Sequence, residues 1–323
     1  MAKVYLPALA LLSTLGGCAG RHSSRALQGG PFADEAQQAG VRFRWTHGGR
    51  SPLNIIESLG HGCAFLDYDQ DGLLDILLVG NRGIELYHNL GGGRFKDVTE
   101  FSGFDRQAAY NGVAVGDYDN DGFPDVYLTG YGKCALYHNE RRRTPLFKDV
   151  TARAGVGALG PFDTATAAAF VDLDGDGRLD LFVGRYIVFT PQTPQLCDFH
   201  GVRAGCGVAS YLPAYPRVYR NLGHGRFADA THQWGFDAAH GKCLGVAVRA
   251  ANSSPGVALY CANDERPGDL FLNHGARYVN AGASSNTAYN VEGLPQGGMG
   301  VDWGQFGASA LPGLVVATFQ REP

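Results

Sequence analysis

Gly112-Val-Ala-Val-Gly-Asp-Tyr-Asp-Asn-Asp-Gly-Phe-Pro-Asp-Val-Tyr-Leu-Thr-Gly130 repeats, with every Asp in register, Gly62-Cys-Ala-Phe-Leu-Asp-Tyr-Asp-Gln-Asp-Gly-Leu-Leu-Asp-Ile-Leu-Leu-Val-Gly80. A third copy runs from Ala167 to Gly184. Each is an apolar run, an acidic loop and a second apolar run. Downstream of each lies a second shared half. Leu86-Tyr-His-Asn89 leads to Arg94-Phe-Lys-Asp-Val-Thr99, Leu136-Tyr-His-Asn139 to Phe147-Lys-Asp-Val-Thr151, and Val218-Tyr-Arg-Asn221 to Arg226-Phe-Ala-Asp-Ala-Thr231. The unit therefore offers four short strands and recurs about every 50 residues, the pattern of a β-propeller blade.

Two further copies keep the strands and lose the acids. Gly245-Val-Ala-Val248 and Val257-Ala-Leu-Tyr260 flank a loop without carboxylates, followed by Leu270-Phe-Leu-Asn273 and Arg277-Tyr-Val-Asn280. Gly300-Val-Asp-Trp-Gly304 and Leu314-Val-Val-Ala-Thr318 form the last copy, which stops after its second strand. The expected fold is all-β, with five recognisable blades at about 41–99, 100–151, 152–231, 232–285 and 286–323, the last incomplete. A longer, seven-bladed parent is the expected complete ring; a small imperfect ring is the alternative. Pro31-Phe-Ala-Asp-Glu-Ala36 followed by Ala39-Gly40 matches the segment from Phe95 to Gly103 and is expected to form an outer strand.

The acidic loops share the spacing Asp-x-Asp-x-Asp-Gly-x-x-Asp. The side chains offered are Asp67, Asp69, Asp71 and Asp75; Asp117, Asp119, Asp121 and Asp125; and Asp172, Asp174, Asp176 and Asp180. The backbone carbonyls of Leu73, Phe123 and Arg178 stand at position seven. So many carboxylates repel one another unless a cation or protons intervene. Oxygen-only donors favour Ca²⁺, giving three expected sites, while an EF-hand is excluded because position twelve is Leu78, Leu128 or Val183 rather than an acid.

The chain has 323 residues, 45% of them hydrophobic, with 47 Gly and a net charge of −4. That is enough to bury a large core, and no basic field points to nucleic acid. Residues 1–18 read as a lipoprotein signal peptide. Lys3 precedes an apolar stretch from Val4 to Leu15, and Leu15-Gly16-Gly17-Cys18 is similar to a bacterial lipobox, which would make Cys18 the lipidated mature terminus. Residues 19–30 read as a tether and 31–323 as the propeller. The expected location is outside the cytoplasm, in the periplasm, outer membrane or cell surface, with membrane contact only through the Cys18 lipid. An oxidising compartment allows disulfides. Cys197 with Cys206 is the first expected pair, Cys243 with Cys261 the second, and Cys63 with Cys134 is what remains.

These units resemble the FG-GAP, or VCBS, repeats of integrin-α-like propellers, from about residue 31 to the end. Within that class the chain looks closest to the cartilage-acidic-protein/ASPIC–UnbV family. The features are Phe43-Arg-Trp-Thr-His47, Glu57-Ser-Leu-Gly60, the insertion with Cys197 and Cys206-Gly207, Pro216-Arg-Val-Tyr-Arg-Asn221, and Ala262-Asn-Asp-Glu-Arg-Pro267. Family members usually carry a C-terminal UnbV domain, which this sequence lacks. The resemblance implies calcium binding and extracellular interaction, with no known catalytic role.

No nucleophile elbow, phosphate loop or His-Glu-x-x-His is present. His88 and His138 share a repeat position that Arg220 and Leu272 fill elsewhere, so it reads as a solvated strand face; Arg141-Arg142-Arg143 reads as a solvated hairpin tip. The expected function is a non-catalytic surface module for an unknown protein or glycan. The insertion at 191–216, with Tyr211 and Tyr215, is the expected contact loop. The alternative is a propeller enzyme with its site in the central channel or in a missing C-terminal domain.

Overall fold

The computed structural model describes residues 32–319 except 48, 50, 82, 142, 158, 251–255 and 307–311. The expected signal peptide, Cys18 and the tether lie outside the described residues, as does the loop of the fourth copy. Among the described residues, no helix is long and apolar enough to cross a membrane.

Every copy forms an antiparallel sheet, in chain order in all but the third. Sheet 1 is β1 (Gly62–Leu66), β2 (Asp75–Gly80), β3 (Gly83–Asn89) and β4 (Phe95–Asp97). Sheet 2 is β5 (Gly112–Gly116), β6 (Asp125–Thr129), β7 (Cys134–Asn139) and β8 (Phe147–Asp149). In sheet 3, β9 (Asp163–Val171) and β10 (Asp180–Val188) precede a small hairpin of β11 (Cys197–Phe199) and β12 (Val202–Ala204). Both β13 (Leu212–Pro213) and β14 (Arg217–Asn221) pair with β10, and β15 (Phe227–Asp229) pairs with β14. Sheet 4 is β16 (Cys243–Ala250), β17 (Val257–Asn263), β18 (Asp269–Asn273) and β19 (Tyr278–Asn280), and sheet 5 is β20 (Gly298–Gly304) with β21 (Gly313–Thr318).

The first strands stand side by side in the order β1, β5, β9, β16, β20. Alternation then assigns each central strand to two neighbours. On β6, Val126 and Leu128 face sheet 1, while Tyr127 faces sheet 3. On β10, Leu181 and Val183 face sheet 2, while Phe182 faces sheet 4. The core is thus a series of apolar layers between successive sheets, as stacked propeller blades require.

A turn after each fourth strand locks one sheet to the next. Gly103 has φ +81°, and a Cβ there would collide with the carbonyl oxygen of Phe147 on β8. Gly235 makes the same approach to Tyr278. Gly103→Ala is expected to cost about 2 kcal/mol, from the left-handed backbone and the forced separation of sheets. Gly72→Ala, with a similar φ of +86° but open space around it, should cost about half as much. Urea melts of the two variants check this.

The same lock corrects the reading of residues 31–36. No strand forms over 32–35; a helical turn at Ala36–Ala39 follows instead. Gly40, with φ +92°, nevertheless packs on the Phe95 carbonyl as Gly103 packs on that of Phe147. The tail of a repeat is therefore present before sheet 1, but among the described residues no third strand lies beside 32–35 to pair with it.

The insertion is anchored at its base, while Phe199, Val202, Leu212 and Tyr215 are exposed on it. Cys197 and Cys206 are bonded, as expected. Tyr211 is buried with Tyr186, Phe189 and Val208, and Ile55, Ile56 and Leu59 of the lead-in to sheet 1 pack on this cluster. Tyr215 alone of the two tyrosines is exposed. Lys242 Nζ donates to Val208 O of the insertion at 2.9 Å, and Tyr186 Oη of β10 to Asp264 Oδ2 at 2.6 Å, tying the insertion and sheet 3 to the residues that flank β16 and β17. The Asn54–Glu57 capping box and Asn81, which donates to Leu59 O, hold the lead-in against it.

The other expected cysteine pairs do not form. Cys243 and Cys261 are buried free thiols. A register shift between Cys243 and Gly245 puts Cys243 opposite Asn263 and Cys261 opposite Val246, yet the two side chains meet, and the Cys261 thiol is hydrogen-bonded to that of Cys243 with no disulfide between them. Cys63 is exposed on β1, whereas Cys134 is buried between sheets 2 and 3.

Candidate metal centres

Each acidic loop joins the first and second strands of its sheet, and its turn is built from its own carboxylates. Asp67 accepts from the N–H groups of Asp71 (3.0 Å) and Gly72 (2.9 Å), and Asp117 does the same with Asp121 (3.0 Å) and Gly122 (2.8 Å). Asp172 accepts from Asp176 (3.2 Å) and Gly177 (2.9 Å). The fifth-position acid then caps the seventh residue: Asp71 accepts from Leu73 N, Asp121 from Phe123 N and Asp176 from Arg178 N.

The ninth-position acid begins the second strand and is fully buried at Asp75, Asp125 and Asp180. Its two oxygens are split between two backbone donors. Asp125 Oδ2 accepts from Tyr118 N at 3.2 Å and Oδ1 from Asn139 N at 2.8 Å. Asp75 uses Tyr68 N and Asn89 N, and Asp180 uses Leu173 N and Asn221 N. This carboxylate therefore fastens the loop to the third strand.

The first, third and ninth acids converge. Asp67, Asp69 and Asp75 present oxygens within 4.8 Å of one another, as do Asp117, Asp119 and Asp125, and Asp172, Asp174 and Asp180. These three groups could hold a metal ion, and an all-oxygen set of this kind fits Ca²⁺. The loops supply the ligands together with the turn; the ion would supply neutralisation of their charge.

Without a cation, burial pushes Asp125 up to about 8 and Asp180 up to about 7, against the lowering effect of their backbone donors. Asp75 and Asp119 are also raised, chiefly by burial. A raised folded value means that the folded chain holds protons that the unfolded chain releases. This contribution to stability is full below about pH 4 and is lost as pH rises through 7 to 8. Ca²⁺ favours the ionised form, so its effect runs the other way. Melts in EDTA and in Ca²⁺ should diverge more at pH 8 than at pH 5; an equal Ca²⁺ shift at both would contradict this.

The loops are also stitched to one another through residues that the spacing alone did not single out. Gln70 donates to Gly122 O of the second loop, and Asn120 Nδ2 to Gly177 O of the third at 3.1 Å. Both donors sit at position four with positive φ, and Gly175 fills that place in the third loop. The asparagine ending the third strand reaches back one sheet. Asn139 Nδ2 donates to Tyr68 O at 2.9 Å and Asn221 Nδ2 to Tyr118 O at 2.7 Å. The recurrence of that Asn in every repeat was the available signal.

The shared strand position is not a solvated face. His88, His138 and Arg220 all turn onto their own acidic loops: His88 Nδ1 lies 3.1 Å from Asp75, His138 Nε2 3.1 Å from Asp119, and Arg220 Nε 2.8 Å from Asp174. Arg141, read as part of a hairpin tip, places Nε 2.8 Å from Asp121; Arg142 lies outside the described residues. Arg178 pairs with Asp176 through its side chain. The first loop is thus compensated by a histidine, the second by a histidine and an arginine, and the third by two arginines.

Comparison with known proteins agrees with this geometry. The model of the FG-GAP-like repeat family matches residues 67–128 and again 117–183. No curated protein matches the chain. Among solved structures, a lectin of Agrocybe aegerita, described as recognising non-reducing terminal N-acetylglucosamine, aligns at 18% identity and TM-score 0.38. The alignment covers 72% of this chain and 52% of that one, so this chain spans about half of the lectin's length. BBS1N, crystallised in complex with ARL6DN and soaked with lead, aligns at 11% identity and TM-score 0.35, covering 85% of this chain and 81% of that one. The mercury-soaked crystal gives 15% identity and TM-score 0.32, covering 86% and 81%. These likenesses are too low to carry function. Between residues 67 and 183 the chain carries FG-GAP-like repeats, on sheets of the β-propeller type.

Proposed function

We propose that this chain is an exported lipoprotein of the ASPIC–UnbV type, anchored through Cys18, whose calcium-stiffened propeller acts as a non-catalytic platform for a protein or glycan. The observation that carries the reading is the row of three acidic loops joined by Gln70 to Gly122 and Asn120 to Gly177. One ion in each loop would rigidify a continuous rim across three sheets. FG-GAP-like repeats are in general adhesion-type modules rather than enzymes. The buried polar groups at the insertion, Lys242, Asp264 and Tyr186, are engaged in joining sheets 3 and 4, which leaves them structural work rather than catalysis. On this reading the five sheets belong to a ring of about seven blades.

The test is to probe a glycan array and a panel of extracellular proteins with the full chain, in Ca²⁺ and in EDTA. The expected result is binding to one ligand class that EDTA removes. Turnover of a substrate, lost on mutation of a first-strand residue and insensitive to EDTA, would overturn the proposal.

A further inference from the structure

The three acidic loops share one repeat but not one donor set. The residue before the terminal Asn of the third strand is His in sheets 1 and 2 and Arg in sheet 3. In the second loop its orientation is set from behind. His138 Nδ1 lies 3.3 Å from Glu140 Oε1, which leaves Nε2 facing Asp119 Oδ2 at 3.1 Å and Asp121 Oδ2 at 3.5 Å. A carboxylate behind an imidazole that faces two further carboxylates is the arrangement that orients histidine ligands at metal sites. Donors about 2.0–2.1 Å from a tetrahedral ion stand about 3.3 Å apart. The two nitrogen–oxygen separations, 3.1 and 3.5 Å, bracket that value with no movement of the backbone.

The other loops provide the contrast. The first loop also brings ligand atoms of Asp69, Asp71 and His88 within 4.8 Å of one another, but Leu90 stands where Glu140 supports His138, and His88 Nδ1 turns to Asp75, 3.1 Å away, with Asp69 at 3.9 Å. Arg220 occupies the position in the third loop, with Nε 2.8 Å from Asp174, and a guanidinium has no lone pair to give. Arg141 is the local competitor in the second loop, 2.8 Å from Asp121, but it is exposed and free to swing outward.

We propose that Asp119, Asp121 and His138, supported by Glu140, form a mixed nitrogen–oxygen site for a first-row divalent cation of the Zn²⁺, Co²⁺ or Ni²⁺ class. Imidazole favours such borderline ions, whereas Ca²⁺ takes oxygen donors. This site shares Asp119 with the all-oxygen group of the same loop, so the two ions exclude one another there. The second loop therefore chooses its cation by availability, and the third has no such choice.

The experiment titrates the full chain, stripped with EDTA and freed of chelator, with Zn²⁺ by calorimetry and with Co²⁺ by visible absorption. Ca²⁺ is titrated in parallel on the same samples. Wild type is expected to take one Zn²⁺ more tightly than any other and to give a Co²⁺ spectrum with imidazole character. His138→Gln should weaken Zn²⁺ at least tenfold and abolish that spectrum; Glu140→Gln should weaken it about tenfold. Circular dichroism confirms that each variant is folded. Equal Zn²⁺ affinity in wild type and H138Q would overturn the proposal, whatever the Ca²⁺ result. Loss of Ca²⁺ binding with Zn²⁺ binding retained would instead overturn the calcium reading alone.

Discussion

Asp125→Ala is expected to destabilise the chain by about 3–5 kcal/mol, a fall in Tm of roughly 6–12 °C. Asp125 is fully buried and accepts from Tyr118 N and Asn139 N, so its removal strands two buried donors and opens a void at the root of the loop. An unsatisfied buried donor costs about 1–3 kcal/mol, which is why the pair decides the size of the effect. The loss should persist in EDTA, because it arises from the backbone donors and not from the ion. In Ca²⁺ it should grow, since the second loop can then no longer hold the cation. Differential scanning calorimetry under both conditions separates the two parts. A variant that melts like wild type in EDTA would show that the carboxylate serves only the ion.

Asn139→Ala is expected to cost about 2–4 kcal/mol, although Asn139 is not a ligand. Its amide donates to Tyr68 O of the preceding loop and to Pro124 O of its own, and its oxygen accepts from Arg141 N. Asn139 itself is buried, as is its bond to Tyr68 O. Asn89→Ala is the control. Its amide donates to Leu74 O and accepts from Gly91 N, both within its own repeat, and it is partly exposed, so the loss should be about 1 kcal/mol. The more telling consequence is at a distance: Asn139→Ala should weaken Ca²⁺ in the first loop, one sheet away. A per-loop Ca²⁺ titration, with the other loops silenced by substitution of Asp117 or Asp172, reads that coupling directly.

The strands and acidic loops were legible in the sequence because both depend on short-range pattern. Apolar runs mark β2, β6 and β10, and the Asp spacing writes out the turn. What was not legible depends on which residue meets which across sheets. His88, His138 and Arg220 hide a shared location behind differing identities, and only the packed third strand turns them onto the acids. The bonds from Asn139 to Tyr68 and from Gln70 to Gly122 join residues far apart in sequence. The strand expected over 31–36 matched its repeat in sequence, but a strand needs a partner, and only its following turn found one in Phe95. For Cys243 and Cys261, the hairpin brings the two thiols into contact, but they stand as free thiols. Tyr211 carried no mark of burial at all; the lead-in that covers it comes from the other end of the chain.

The most direct test of the calcium account is isothermal titration of the EDTA-stripped full chain with Ca²⁺, with the Tm recorded before and after. The account predicts binding at the groups of Asp67, Asp117 and Asp172, a stoichiometry of about three reduced stepwise by Asp→Ala in each loop, and a higher Tm in Ca²⁺ than in EDTA. Absence of bound Ca²⁺, with an unchanged Tm on chelation, would contradict it.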